Sequence, residues 1–145
     1  MNMQFKVSTP KLHKQTEDLL EKQQQVLFEA MIKMEEIAKL KAPVDTGDLK
    51  RRIHVTPSQK GHSEYTLSDG VNYGIHVEYG TKPHRVPITP LMGWAGRVLG
   101  DPKAAFAVAN KISKEGTPAQ PFFRPAMHEV QVKWLPQITQ KVFSQ

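Results

Sequence analysis

The chain has no cysteine, which removes disulfides and thiolate metal sites from consideration and suits a reducing cytosol. No apolar run approaches the ~18 residues needed to span a membrane. The opening MNMQFKVSTPK lacks the apolar core of a signal peptide. The expectation is therefore a protein made and assembled in the cytoplasm, with no membrane partner. Catalytic signatures are missing too. The sequence contains no GxSxG, no HExxH, no Walker-type phosphate loop and no GxGxxG, and neither calcium-loop nor zinc spacing is present. Aromatic residues are only 8% of the chain and do not interleave with the basic ones as in single-strand or RNA-binding surfaces.

What is present is proline and unevenly placed charge. All of the 11 prolines but Pro10 lie beyond residue 42, so an ordered N-terminal helix followed by a loop-rich remainder is predicted. The 145 residues fit one domain, 1–145. The net charge of +6 arises entirely after residue 50: residues 1–50 hold eight basic and eight acidic side chains, and 51–145 hold twelve and six. Arg51, Arg52, Lys60, Lys82, Arg85 and Arg97 would line any phosphate-facing surface. A stand-alone basic nucleic-acid-binding protein is thus the alternative to the reading developed below, and plain solubility is the bland explanation of the charge.

Residues 3–8 alternate as a short strand would, and Ser8, Thr9 and Pro10 read as a helix start. From there to Lys41 there is no Gly or Pro, and Leu12, Leu19, Leu20, Leu27, Met31, Met34, Ile37 and Ala38 recur at helical spacing. Such a helix is roughly 45–50 Å long, whereas a domain of this size has a radius of gyration near 15 Å. Part of it should project or meet a neighbouring subunit. Ala42-Pro43 ends it. Three antiparallel strands are then predicted at 52–57, 64–68 and 73–79, the last placing Tyr73, Ile75, Val77 and Tyr79 on one face. The stretch GTKPHRVPITP reads as an extended, mobile loop. Short helices are expected at 91–99 and 102–113, the second capped by Asp101. An aromatic arm, Pro118 to Pro125, leads into a last helix that Pro136 should kink or interrupt.

In APVDTGDL, Asp45 and Asp48 raise the question of a carboxylate pair. No further ligands lie nearby, and Asp, Thr and Gly are what a turn needs. His54 and His76 with Glu78 are weighed against strand histidines, and the bland reading is favoured. A hydrolase using Asp45, His76 and Glu78 stands third.

Three blocks in order carry more than any one of them: APVDTGDLKRRI, YGIHVEYGT and PAQPFFRPAM. Together with the long amphipathic helix they resemble the tail-completion (neck, head–tail joining) proteins of long-tailed bacteriophages. The resemblance implies an α+β protomer, a long helix against a small antiparallel sheet. A C-terminal helix is expected as well, and the segment at about 81–117, longer than in compact members, departs from the pattern as a loop or helical insert. The resemblance implies a structural turn at Pro43, Thr46 and Gly47. The exposed proline-rich loop and the aromatic arm are expected to be partner surfaces, with subunit or partner contacts at Glu78, Tyr79, Gly80, Thr81, Lys82, His84, Arg85, Phe122, Phe123 and Arg124. Of the two phenylalanines, one is expected to anchor the protomer core and the other to meet a neighbour. No reaction, catalytic residue, metal or cofactor is implied. The expected partners are further copies in a ring, usually hexameric in the virion and a monomer or weakly associated in dilute solution, with a head connector or stopper on one side and a tail tube or tail terminator on the other. DNA would pass through the lumen without sequence-specific binding, and the protein would reside in the virion after assembly in the host cytoplasm.

Overall fold

The computed structural model describes residues 10–57 and 64–144. Helix α1 runs unbroken from Pro10 to Lys41, 32 residues and about 48 Å, with Pro10 at its start as expected. The strand predicted at 3–8, its capping residues and the turn at 58–62 lie outside the described residues. Lys39 and Lys41 sit in the last turn, where they complement the negative end of the helix dipole. Ala42 is the last residue to continue the helical bonding, donating its amide to Ala38.

The turn that follows is held by Gly47, at φ 79°, a left-handed conformation that L side chains resist. It feeds α2, Asp48–Arg52, whose Leu49 is buried. Strands β1, His54–Pro57, and β2, Tyr65–Ser68, pair antiparallel with His54 opposite Ser68 and Val55 opposite Leu67. The sheet stops at two strands. The Val55 amide points away from β2 and donates to the Glu35 carboxylate of α1 at 2.8 Å, so that edge is already occupied.

The third predicted strand is instead a helix, α3, Gly74–Tyr79. The alternation in YGIHVEY fits a strand, but tertiary packing overrides it. Gly74 lies so close to Asp69 that an added Cβ would meet the carboxylate at 1.6 Å. One helical turn on, Glu78 also faces inward, while Ile75, His76 and Tyr79 face out. The proline-rich loop is also shorter than expected. Helix α4, Ile88–Val98, starts with Pro90 in its first turn, where a missing amide costs no hydrogen bond. Helix α5, Ala104–Glu115, follows a turn in which the Asp101 carboxylate accepts the Lys103 amide at 2.9 Å.

Helices α4 and α5 pack mainly on each other, around Ala95, Ala105 and Ile112. This hairpin leaves and rejoins the body at one point, where Thr81 and Thr117 form an antiparallel bridge with amide bonds of 3.0 and 3.2 Å. Gly80 and Gly116 flank the bridge at φ 73° and 77°. A Cβ on Gly116 would lie 1.9 Å from the Thr81 carbonyl.

The chain ends in α6, Phe123–Glu129, a π-helical turn, Val130–Trp134, and α7, Leu135–Phe143. The wide turn falls just before Pro136, whose ring would otherwise collide with the carbonyl four residues back. Pro136 therefore widens this helix without ending it. The main core lies where α1 meets these elements: Ala30, Ile37, Ala38 and Ala42 face Phe122, Ala126, Val130, Ile138 and Val142, with Leu49 and Ile53 closing one end. Alanines on both sides bring the helices close. The architecture is α+β, as the sequence indicated.

Gly100 has a positive φ but open space around it, whereas Gly116 has both a positive φ and a backbone neighbour. Gly100→Ala should cost about 1 kcal/mol and Gly116→Ala clearly more, with faster hydrogen exchange at the Thr81 and Thr117 amides. Equal losses in urea denaturation would contradict this account of the bridge.

Candidate functional site

Glu78 is 4% exposed, and no other charged side chain among the described residues is buried. Its carboxylate accepts the backbone amides of Phe122, Phe123 and Arg124 at 2.7, 2.9 and 3.0 Å, and Arg124 Nε at 3.0 Å. Arg124 also donates to the Glu78 carbonyl at 3.1 Å. These amides are the first of α6, so a residue 44 positions upstream caps the C-terminal helix and sets a negative charge at the positive end of its dipole. Burial pushes the Glu78 carboxyl up, but the Arg124, Phe122 and Phe123 amides and the guanidinium outweigh it, so it stays below the usual glutamate range. A carboxylate so fully engaged is a poor general base.

This clasp sorts the expected contact residues into groups. Glu78 and Phe122 turn inward, and Phe122 is fully buried in the core. They therefore hold the protomer together and do not reach outward to a partner. Phe123 does not point to the opposite side from Phe122, as an extended arm would require. The two rings lie 4.5 Å apart at the start of a helix. Phe123 is half-buried and shares a shallow groove with Ile75 and Tyr79, both about 60% exposed. Arg124 lies over the Tyr79 ring at 4.5 Å. Tyr79, Phe123 and Arg124 thus come together at the surface.

The remaining residues sit on another face. Pro43, Thr46 and Gly47 border a cleft of about 870 Å³ between the 43–49 turn and α4, to which Gly80, Thr81, Lys82 and His84 also contribute. Val44, Tyr73, Trp94 and Val98 supply apolar walls. Arg85 is exposed. The cleft is tied across by Asp45 and Arg97, whose two hydrogen bonds are both 2.8 Å. The bond to Arg97 holds the Asp45 carboxyl below its ordinary value. Asp48 instead pairs locally with Arg51 and Arg52, so the two acids of the turn do not form a pair. His54 leans on the Arg52 carbonyl from β1 and His76 is exposed on α3. Among the described residues no group of three or more His, Asp or Glu is placed to hold a metal ion, and no helix is long and apolar enough to cross a membrane.

Sequence reasoning missed the Asp45–Arg97 tie, for which a separation of 52 residues leaves no local signal. It also missed the role of Thr117. The repeated Gly-Thr dipeptide at 80–81 and 116–117 was a visible clue to that bridge.

The fold is an α+β protomer with a clasped C-terminal helix and a tethered hairpin. The chain belongs to the HK97-gp10-like family of bacteriophage tail components: residues 8–80, half of the chain, match the family described as "Bacteriophage HK97-gp10, putative tail-component". The match agrees with the resemblance to tail-completion proteins and ends at Gly80, immediately before the bridge that begins the hairpin. No curated protein and no solved structure matches the chain. It is a bacteriophage tail-related structural protein, and its place is in the virion.

Two outcomes test the clasp. Glu78→Ala strands four buried or half-buried donors and should cost about 3–5 kcal/mol, seen in chemical denaturation. Because the folded-state pKa of Glu78 is depressed, its contribution is complete above the unfolded value of about 4.3 and is lost as pH falls through the folded value. The acid limb of the stability profile should therefore flatten in Glu78→Gln. Separately, Phe122→Ala should cost about 3–5 kcal/mol, while Phe123→Ala should leave a folded protein.

Proposed function

We propose that the protein forms a homo-oligomeric ring at the neck of the virion, where it completes the tail and joins it to the head connector, without catalysing a reaction and without a cofactor. The carrying observation is a helix that outruns its own domain. The body packs against α1 from about Val26 onward, while residues 14–21 are exposed throughout, with Leu19 and Leu20 at 50% and 54%. Apolar surface on a projecting amphipathic helix is the kind that another chain covers. The surface trio of Tyr79, Phe123 and Arg124 and the cleft beside the 43–49 turn offer further contacts for a stopper, tail tube or tail terminator. We treat residues 1–145 as one domain with the hairpin as its insert. Assembly takes place in the host cytoplasm, and DNA crosses the lumen without sequence-specific binding.

The test is a phage in which the gene is inactivated. Filled heads and unattached tails are expected by electron microscopy, with rings in class averages of the added protein bound at tail ends. Normal infectious particles in its absence would overturn the proposal. Phe123→Ala should stay folded, with a smaller loss of stability than Phe122→Ala, and yet lower the yield of joined particles.

A further inference from the structure

Positive charge on the body is largely answered by neighbouring carboxylates. Lys33, Lys39, Lys41, Arg52, Arg124 and Lys141 each lie within 3.5 Å of a carboxylate oxygen. The α4–α5 hairpin differs. Residues 82–115 hold six basic side chains against two acidic ones, and only Arg97 has a carboxylate partner. Lys82, Arg85, Lys103, Lys111 and Lys114 are exposed and form no ion pair among the described residues. Three of these lysines lie on the outer face of α5 with Phe106, Ala107 and Asn110, opposite the buried Ala105 and Ile112. Phe106 is 59% exposed in the midst of them.

The complementary surface is on the same chain. Asp18, Glu21, Gln25, Phe28 and Ile32 recur at spacings of 3, 4, 3 and 4 along α1, and all are exposed. That spacing keeps them on one face, as the seam of a helix pair requires. Between residues 17 and 36 the helix carries six acids and two lysines. Within the protomer α1 packs on the sheet and on α6 through α7, whereas α5 packs on α4, so neither face answers the other.

We propose that the basic face of α5 in one copy packs along the acidic outer stripe of α1 in the next, Phe106 seating near Phe28 and Ile32 and the lysines facing Asp18 and Glu21. This rests on the ring reading above and assigns its subunit contact. The two faces differ, so the contact is head-to-tail, the kind that closes into a ring when the rotation permits. Charge complementarity sets the register and speeds encounter. A nucleic-acid duplex would satisfy the lysines but leave Phe106, 59% exposed, uncovered.

The cysteine-free chain allows a direct test. Full-length copies carrying Gln25→Cys are mixed with copies carrying Ala107→Cys and mildly oxidised, with Asn72→Cys as the control partner for Ala107→Cys. A 25–107 cross-linked dimer is expected, with no 72–107 product, and the double variant should give a ladder ending at one ring size. In sedimentation velocity, Lys103→Glu/Lys111→Glu/Lys114→Glu should weaken self-association at least tenfold at low salt. Adding Asp18→Lys/Glu21→Lys to the same chain should restore it. Rings seen by electron microscopy without a cross-link from Ala107→Cys to any cysteine placed singly between residues 18 and 32 would overturn the contact and leave the ring intact. Absence of rings both in solution and in particles would overturn both. If the triple lysine reversal instead abolished binding of a 30-base-pair duplex and left self-association unchanged, the face would be a nucleic-acid surface and the contact would be overturned.

Discussion

The fold turns on one carboxylate holding three successive amides. An α-helix begins with donors that its own turns cannot satisfy, and α6 begins in the interior, beside the fully buried Phe122. Water does not reach these amides freely, and no local Ser, Thr, Asp or Asn stands at the cap. Glu78 supplies the missing acceptor from α3. Because the same glutamate ends the α3 turn that leads to Gly80, the start of the hairpin and the start of the C-terminal helix are fixed relative to each other. The core between α1 and the last helix is then built mostly of alanine, valine and isoleucine, a set that packs tightly only if the helix axes are already placed.

The parts of this arrangement that depend on short-range rules were legible. Pro10 and Pro43 bracket α1, Gly47 marks the turn, and the two strands lie close to where alternation put them; Asp101 holds the turn before α5 and does not cap the helix itself. What escaped depended on partners far along the chain. YGIHVEY alternates like a strand, and only the contacts of Gly74 with Asp69 and of Glu78 with residues 122–124 make it a helix. Pro136 reads as a breaker, but a single π-helical turn absorbs its ring. The two phenylalanines look like an extended pair until the helix that Glu78 caps is known to begin between them.

The candidate surface was legible only in outline. The three sequence blocks marked whole segments, and segments contain both inward and outward side chains. Glu78 and Phe122 are buried, Tyr79 is exposed, and Phe123 is half-buried. Asp45 and Asp48 read as turn residues; Asp45 instead holds Arg97 of the hairpin, and Asp48 pairs with Arg51 and Arg52.

The Thr81–Thr117 bridge has a wider consequence. Paired residues in such a ladder lie about 5.5 Å apart or less, so the chain departs from the body and returns at nearly the same place. Apart from the Asp45–Arg97 tie across the cleft, the body experiences the same boundary whatever lies between. Closing the intervening loop costs only slowly more as it lengthens, and the two glycines already provide the bends. The hairpin is therefore an exchangeable cassette: its length and surface can drift, and with them the neighbours it accepts, while the clasp and core that shape the protomer stay under their own separate constraint.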